Sequence, residues 1–101
     1  MVVVRNVFHL KFGKSREAVA MMKDGLAIQN RILAGAGFST RVLTDAVGRF
    51  YTMVLEVTAP NLAAVESNMP RMFADKEWQA HYQKMSDLVE SGYREVFNIV
   101  E

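Results

Sequence analysis

The chain has 101 residues, the length of one domain, with 12 basic and 11 acidic side chains, a formal net charge of +1 and no cysteine. With no basic run and no interleaving of basic and aromatic residues, there is no nucleic-acid footprint. The missing thiols exclude disulfides, thiol catalysis and cysteine-based metal sites.

Half of the residues are hydrophobic, enough for a core, although so short a chain leaves apolar surface uncovered. The opening stretch MVVVRNVFHLKF is interrupted by Arg5, His9 and Lys11 and lacks a small-residue cleavage site. It reads as neither a membrane span nor a secretion signal, so a cytoplasmic protein with no membrane partner is expected.

Val2 to Phe12 predicts a strand, rich in β-branched and aromatic residues and broken by Gly13 and Lys14. Ser15 is placed to cap a helix from Arg16 to about Ala34, with Val19, Met22, Leu26 and Leu33 at helical spacing. Gly25 inside it costs roughly 1 kcal/mol against alanine; close packing against a sheet is the expected reason. Phe38 to Thr44 and Arg49 to Val57 read as two strands joined by the hairpin-length segment Asp45 to Gly48. Thr58, Ala59 and Pro60 open the next helix, whose buried side is Leu62, Val65 and Met69. Pro70 should stop or kink it, and Asp75 can cap a second piece carrying Trp78, His81, Tyr82, Met85, Leu88 and Val89 on one stripe. Ser91 and Gly92 then end the helix before a last strand, Tyr93 to Val100. The order β-α-β-β-α-β is the ferredoxin-like split βαβ arrangement: an α+β fold with a four-stranded antiparallel sheet and two helices on one face.

Strand alternation divides the first strand into two sets. Val2, Val4, Asn6, Phe8, Leu10 and Phe12 should face the helices, with Asn6 the one polar member. Val3, Arg5, Val7, His9 and Lys11 make a mixed outer face, expected to meet a second copy in a homodimer. Alternation does not decide which sets of the third and fourth strands face the helices, because a bulge would exchange them.

The segment ADKEWQAHYQKMSDLVESGYREV resembles the C-terminal part of NIPSNAP-like domains, and FHLKFGKSREAV, residues 8 to 19, resembles their opening strand, turn and first helix. NIPSNAP-like domains belong to the dimeric α+β barrel superfamily, which also holds the antibiotic-biosynthesis monooxygenases. The resemblance implies that two sheets pack into a barrel across a two-fold axis, with a cleft in each subunit between helices and sheet. It also implies three functional alternatives. The leading one is a small-molecule-binding protein acting as a cofactor-free monooxygenase on an electron-rich aromatic substrate. Haem-degrading relatives place an asparagine where Asn6 stands and a ligating histidine where His81 stands, so a haem oxygenase is the second. At the place of their haem-ruffling tryptophan this chain has Arg71. A non-catalytic NIPSNAP-like interaction module is the third.

Within that frame Asn6 and His81 are the candidate catalytic groups, with no metal site, since His9 and His81 are the two histidines and His9 lies on the opposite sheet face from Asn6. An amide in a core needs a partner, because leaving it without one costs about 1–3 kcal/mol. A neutral imidazole on an apolar stripe is either a satisfied core group or a base. Phe8, Tyr51, Phe73, Trp78 and Tyr82 are candidates to line a flat pocket for a small apolar or aromatic molecule, and Arg71 to meet an anionic group at its mouth. A filled core around His81 would favour the interaction module; empty volume beside it would favour the cleft.

Overall fold

The structure, a computed structural model, describes all residues from Met1 to Glu101. Seven elements follow one another: β1 (Val2–Leu10), α1 (Ser15–Ile32), β2 (Ser39–Thr44), β3 (Thr52–Ala59), α2 (Leu62–Phe73), α3 (Lys76–Ser86) and β4 (Val89–Asn98). All strand pairs are antiparallel, in the order β2-β3-β1-β4. The expected α+β topology with a four-stranded antiparallel sheet is therefore present. The barrel is not. The sheet is open, with β2 and β4 as its two edges and two strands between them, so the expectation of a dimeric α+β barrel is corrected to an open sheet with helices. β2 and β4 are not hydrogen-bonded to each other, so the two edges stay apart and the sheet does not close.

Local chemistry moves several boundaries. Ser15 is the first residue of α1 rather than its cap; Lys14 takes the cap position with no side-chain hydrogen bond. β1 ends at Leu10, and the turn after it turns Phe12 out to 84% exposure instead of toward the helices. The β2–β3 connection runs to Tyr51, which takes φ +58°, and Asp45 Oδ1 closes it by accepting the Thr52 N–H at 2.9 Å. Strand β3 consequently starts at Thr52, three residues later than the hydrophobic pattern suggests, and keeps Thr58 and Ala59. Asn61, not Pro60, opens α2, its side chain accepting the Ala64 N–H at 2.8 Å.

Pro70 lies within α2, and the helix continues through it to Phe73. The break falls at Ala74–Asp75, where Asp75 Oδ1 accepts the Trp78 N–H at 2.9 Å and begins α3. The two expected pieces are thus separate helices, parted just before Asp75 rather than at Pro70. Strand β4 begins at Val89 and includes Ser91 and Gly92, both expected to lie outside it.

Registers assign the faces that alternation left open. Asn6 lies opposite Leu55 on one side and Arg94 on the other, and Leu55 lies opposite Val42. One row of the helix-facing side is therefore Val42–Leu55–Asn6–Arg94. One residue along, the outer face carries Arg41–Glu56–Arg5–Glu95, a row of alternating charge across all four strands. Its contacts are Arg41–Glu56 at 2.7 Å, Arg5–Glu56 at 3.2 Å and Arg5–Glu95 at 3.7 Å. The central Glu56 side chain is 12% exposed, and its carboxyl is held below the ordinary carboxylate range, first by the Arg41 hydrogen bond.

The main core lies between the sheet and α1 and α3: Val4, Leu10, Met53, Leu55 and Val57 from the strands, Ala18 and Met22 from α1, Met85 from α3 and Leu88 just after it. A smaller cluster of Ile32, Leu33 and Met72 joins the end of α1 to α2. No helix is long and apolar enough to cross a membrane.

Candidate functional site: a cleft between the sheet and the helices

A cavity of about 110 Å3 separates the inner sheet face from the helices. Fourteen of its nineteen lining residues are hydrophobic, and Asn6, Gln29, His81 and Arg94 are its polar members beside Gly25. Val4, Asn6 and Phe8 reach it from alternate positions of β1, Met22, Gly25, Leu26 and Gln29 from one face of α1, and Trp78, His81, Tyr82 and Met85 from the stripe of α3.

The imidazole of His81 is seated on α1 at Gly25. A Cβ added to Gly25 would stand 2.5 Å from Cε1, 3.0 Å from Nδ1 and 3.2 Å from Nε2 of that ring. The glycine is there for the histidine, not for the sheet as the sequence suggested. One turn earlier the carbonyl of Met21 lies 2.6 Å from Nε2. A carbonyl only accepts, so Nε2 carries the proton, and in the neutral ring Nδ1 is left as the acceptor. Nδ1 has no hydrogen-bond partner within the protein, and it is not sealed from solvent. His81 is thus both a satisfied histidine and a wall of a cavity.

Asn6 is held by two strands. Its Nδ2 donates to the Leu55 carbonyl at 3.4 Å, a long bond, and its Oδ1 accepts from Arg94 Nε at 2.7 Å. Trp78 and Tyr82, one turn apart on α3, stack with ring centroids 5.0 Å apart and planes 23° from parallel, giving the cleft a flat aromatic side. The start of α3, which sets Trp78, is fixed by Asp75. Its carboxyl is held below its ordinary value first by the Trp78 N–H and then by Arg31, 3.0 Å away. Arg31, which also reaches Glu77 at 3.1 Å, is raised in turn, first by its bond to Asp75.

Of the candidates from sequence, Asn6, Phe8, Trp78, His81 and Tyr82 come together on the cleft. Three do not. Tyr51 packs edge-on against Phe12, centroids 4.8 Å apart, beside the turn that precedes β3. Phe73 lies outside the cavity lining, its ring 5.2 Å from that of Trp78. Arg71 turns back to the end of α1, where Nη2 donates to the Ile32 carbonyl at 2.7 Å and Nη1 to Asn68 at 2.9 Å. Arg94 is the lining residue that sequence reasoning passed over. The signal was its place on the strand face opposite Glu95, legible only once the register with β1 is known.

The residues do not fit haem. His81 Nε2 is committed to a helix carbonyl and the ring is pressed against α1 at Gly25. At about 110 Å3 the cavity is also far too small for a porphyrin macrocycle. No group of three or more metal-binding side chains occurs.

No family model matches the sequence, and neither does any curated protein. Solved structures do match. A NIPSNAP domain protein from Burkholderia xenovorans superposes with a TM-score of 0.87 at 20% identity, over 99% of this chain and 95% of that one. A NIPSNAP family protein from Agrobacterium tumefaciens gives 0.87 at 20% identity, over 99% and 93% of the two chains. SnoaB, a cofactor-independent oxygenase from Streptomyces nogalater, gives 0.73 at 16% identity, over 99% and 93%. At such identities the likeness is one of fold: this chain has the fold that NIPSNAP proteins share with cofactor-independent oxygenases.

Proposed function

We propose that the protein binds a small, flat, electron-rich aromatic molecule in the cleft and oxygenates it with dioxygen and no cofactor. The observation that carries this reading is the meeting of Asn6 and His81, two polar groups on separate apolar stripes of the sequence, on one mostly apolar cavity. The fold shared with a cofactor-independent oxygenase supports it. An apolar cavity of roughly 150 Å3 admits benzene, so a space of about 110 Å3 suits a single ring with slight adjustment of its methionine walls.

In this mechanism the ring lies against Trp78 and Tyr82, and the cleft strips it of water. His81 Nδ1, left as an acceptor by the Met21 bond, takes the phenolic proton. Asn6 offers its second Nδ2 N–H to the phenolate oxygen. The phenolate gives one electron to dioxygen, and ring radical and superoxide combine to form a C–O bond at the open para carbon. The O–O bond then breaks, one oxygen leaves as water with the displaced protons, and a quinone remains: phenol plus dioxygen gives quinone plus water. All the named residues come from one chain.

The test uses 2,6-dimethylphenol and 2-methylphenol, single rings with an open para carbon, under 18O2, with the quinone followed by mass spectrometry. One labelled oxygen in the product, lost in His81→Ala and reduced in Asn6→Ala, is expected. Turnover unchanged in both variants, or no quinone from either phenol, would remove the oxygenase reading.

A further inference from the structure

We infer that the cleft selects a small aromatic monoanion, a ring bearing a carboxylate that Arg94 grips. This rests on the cleft being a ligand site and not on the oxygenase chemistry. Arg94 is the one charged residue lining the cavity; no aspartate or glutamate lines it. The sheet separates charge by face. Outside, Arg41, Glu56, Arg5 and Glu95 alternate and cancel. Inside, one residue along β4 from Glu95, Arg94 stands with no ion pair, whereas Arg5, Arg31 and Arg41 each contact a carboxylate within 3.7 Å.

Its orientation is set as well. The Asn6–Arg94 pairing across β1 and β4 brings the two side chains together, and Asn6 Oδ1 takes the Nε proton at 2.7 Å. That bond fixes the plane of the guanidinium and leaves both terminal nitrogens without a side-chain acceptor. Two parallel N–H donors in one plane match the two oxygens of a carboxylate. Arg94 is exposed, stands on an edge strand and lines the cavity, so a ligand can reach it from solvent while its ring enters among the apolar residues.

Trp78 is the only tryptophan and lines the cavity, so its fluorescence reports occupancy. Benzoate, benzyl alcohol and benzylamine share a ring and differ in charge at neutral pH. Titrating each into the full chain should show benzoate binding at least about tenfold tighter than the alcohol, with the amine weakest. In Arg94→Gln, shown to be folded by an unchanged far-UV circular dichroism spectrum, the preference for benzoate over the alcohol should vanish. Equal affinities for benzoate and alcohol, or a preference that survives in Arg94→Gln, would overturn the inference while leaving the cleft a binding site. If none of the three changed Trp78 fluorescence, both the inference and the cleft as a ligand site would fall.

Discussion

Gly25→Ala tests the seat of His81, because two effects of opposite sign meet at that residue. In a helix interior, alanine in place of glycine is worth about 1 kcal/mol of added stability. Here the new Cβ would stand 2.5 Å from Cε1 of His81, about 0.9 Å inside the 3.4 Å at which ordinary contact begins. The ring has to move, and moving it stretches or breaks its 2.6 Å bond to the Met21 carbonyl. Overpacking costs typically about 1–3 kcal/mol and a net hydrogen bond about 1. Taking the combined loss as about 2–3 kcal/mol and subtracting the helix gain, Gly25→Ala should destabilise the protein by about 1–2 kcal/mol. With the ring removed in His81→Ala, the same substitution should stabilise it by up to about 1 kcal/mol, a coupling of about 2–3 kcal/mol. Urea unfolding of the four proteins, compared at unchanged m-value, measures this directly. A midpoint raised by Gly25→Ala in the unaltered background, or moved equally in both, would refute the seat.

Three further outcomes are expected. Glu56 has a folded-state pKa below its unfolded one, so its contribution is present above the unfolded value, about 4.3, and lost as pH falls through the folded value. Between about pH 5 and pH 3 the parent protein should therefore lose stability faster than Glu56→Gln; parallel curves would exclude a role for the charge row. Gly92→Ala would put a Cβ 2.6 Å from the Val7 carbonyl oxygen, a backbone atom with little freedom to give way. It should cost at least about 2 kcal/mol and deprotect β4 amides in hydrogen exchange, and a change within about 0.5 kcal/mol would count against the geometry. Arg71→Met removes the bond to the Ile32 carbonyl and should cost about 1 kcal/mol. It should leave the Trp78 response to benzoate intact, whereas a weakened response would restore Arg71 to the cleft mouth.

Features written in contiguous residues were legible before any coordinates. The alternation of Val2 to Leu10 put Asn6 and Phe8 on the helix side, Asp75 announced the cap of α3, and the Trp78–His81–Tyr82–Met85 spacing announced its buried stripe. What failed depends on partners distant in the chain. Pro70 marks no helix end, since α2 runs on for a further turn before Asp75 supplies a better cap. Tyr51 follows Arg49 and Phe50 in what reads as a strand, yet the Asp45–Thr52 bond closes a longer loop and turns Tyr51 to positive φ. Arg94 was invisible as a site residue because its face follows from a pairing 88 positions away, on a strand pair whose register shifts between His9 and Leu10. The barrel came from family likeness alone, and the open edges at β2 and β4 correct it.

The central place of β1 has a consequence for the order in which this molecule can be completed. Of the four strands β1 is made first, and it pairs with β3 on one side and with β4, residues 89–98, on the other. Until that last strand is translated, one flank of β1 has no partner and the amide of Asn6 no guanidinium to bind. The cleft is thus finished by β4, the last of these elements to be made. A nascent or truncated polypeptide that stops before Arg94 can already hold α1, the β2–β3 hairpin and the seated His81, but it carries an unpaired strand edge and an incomplete site.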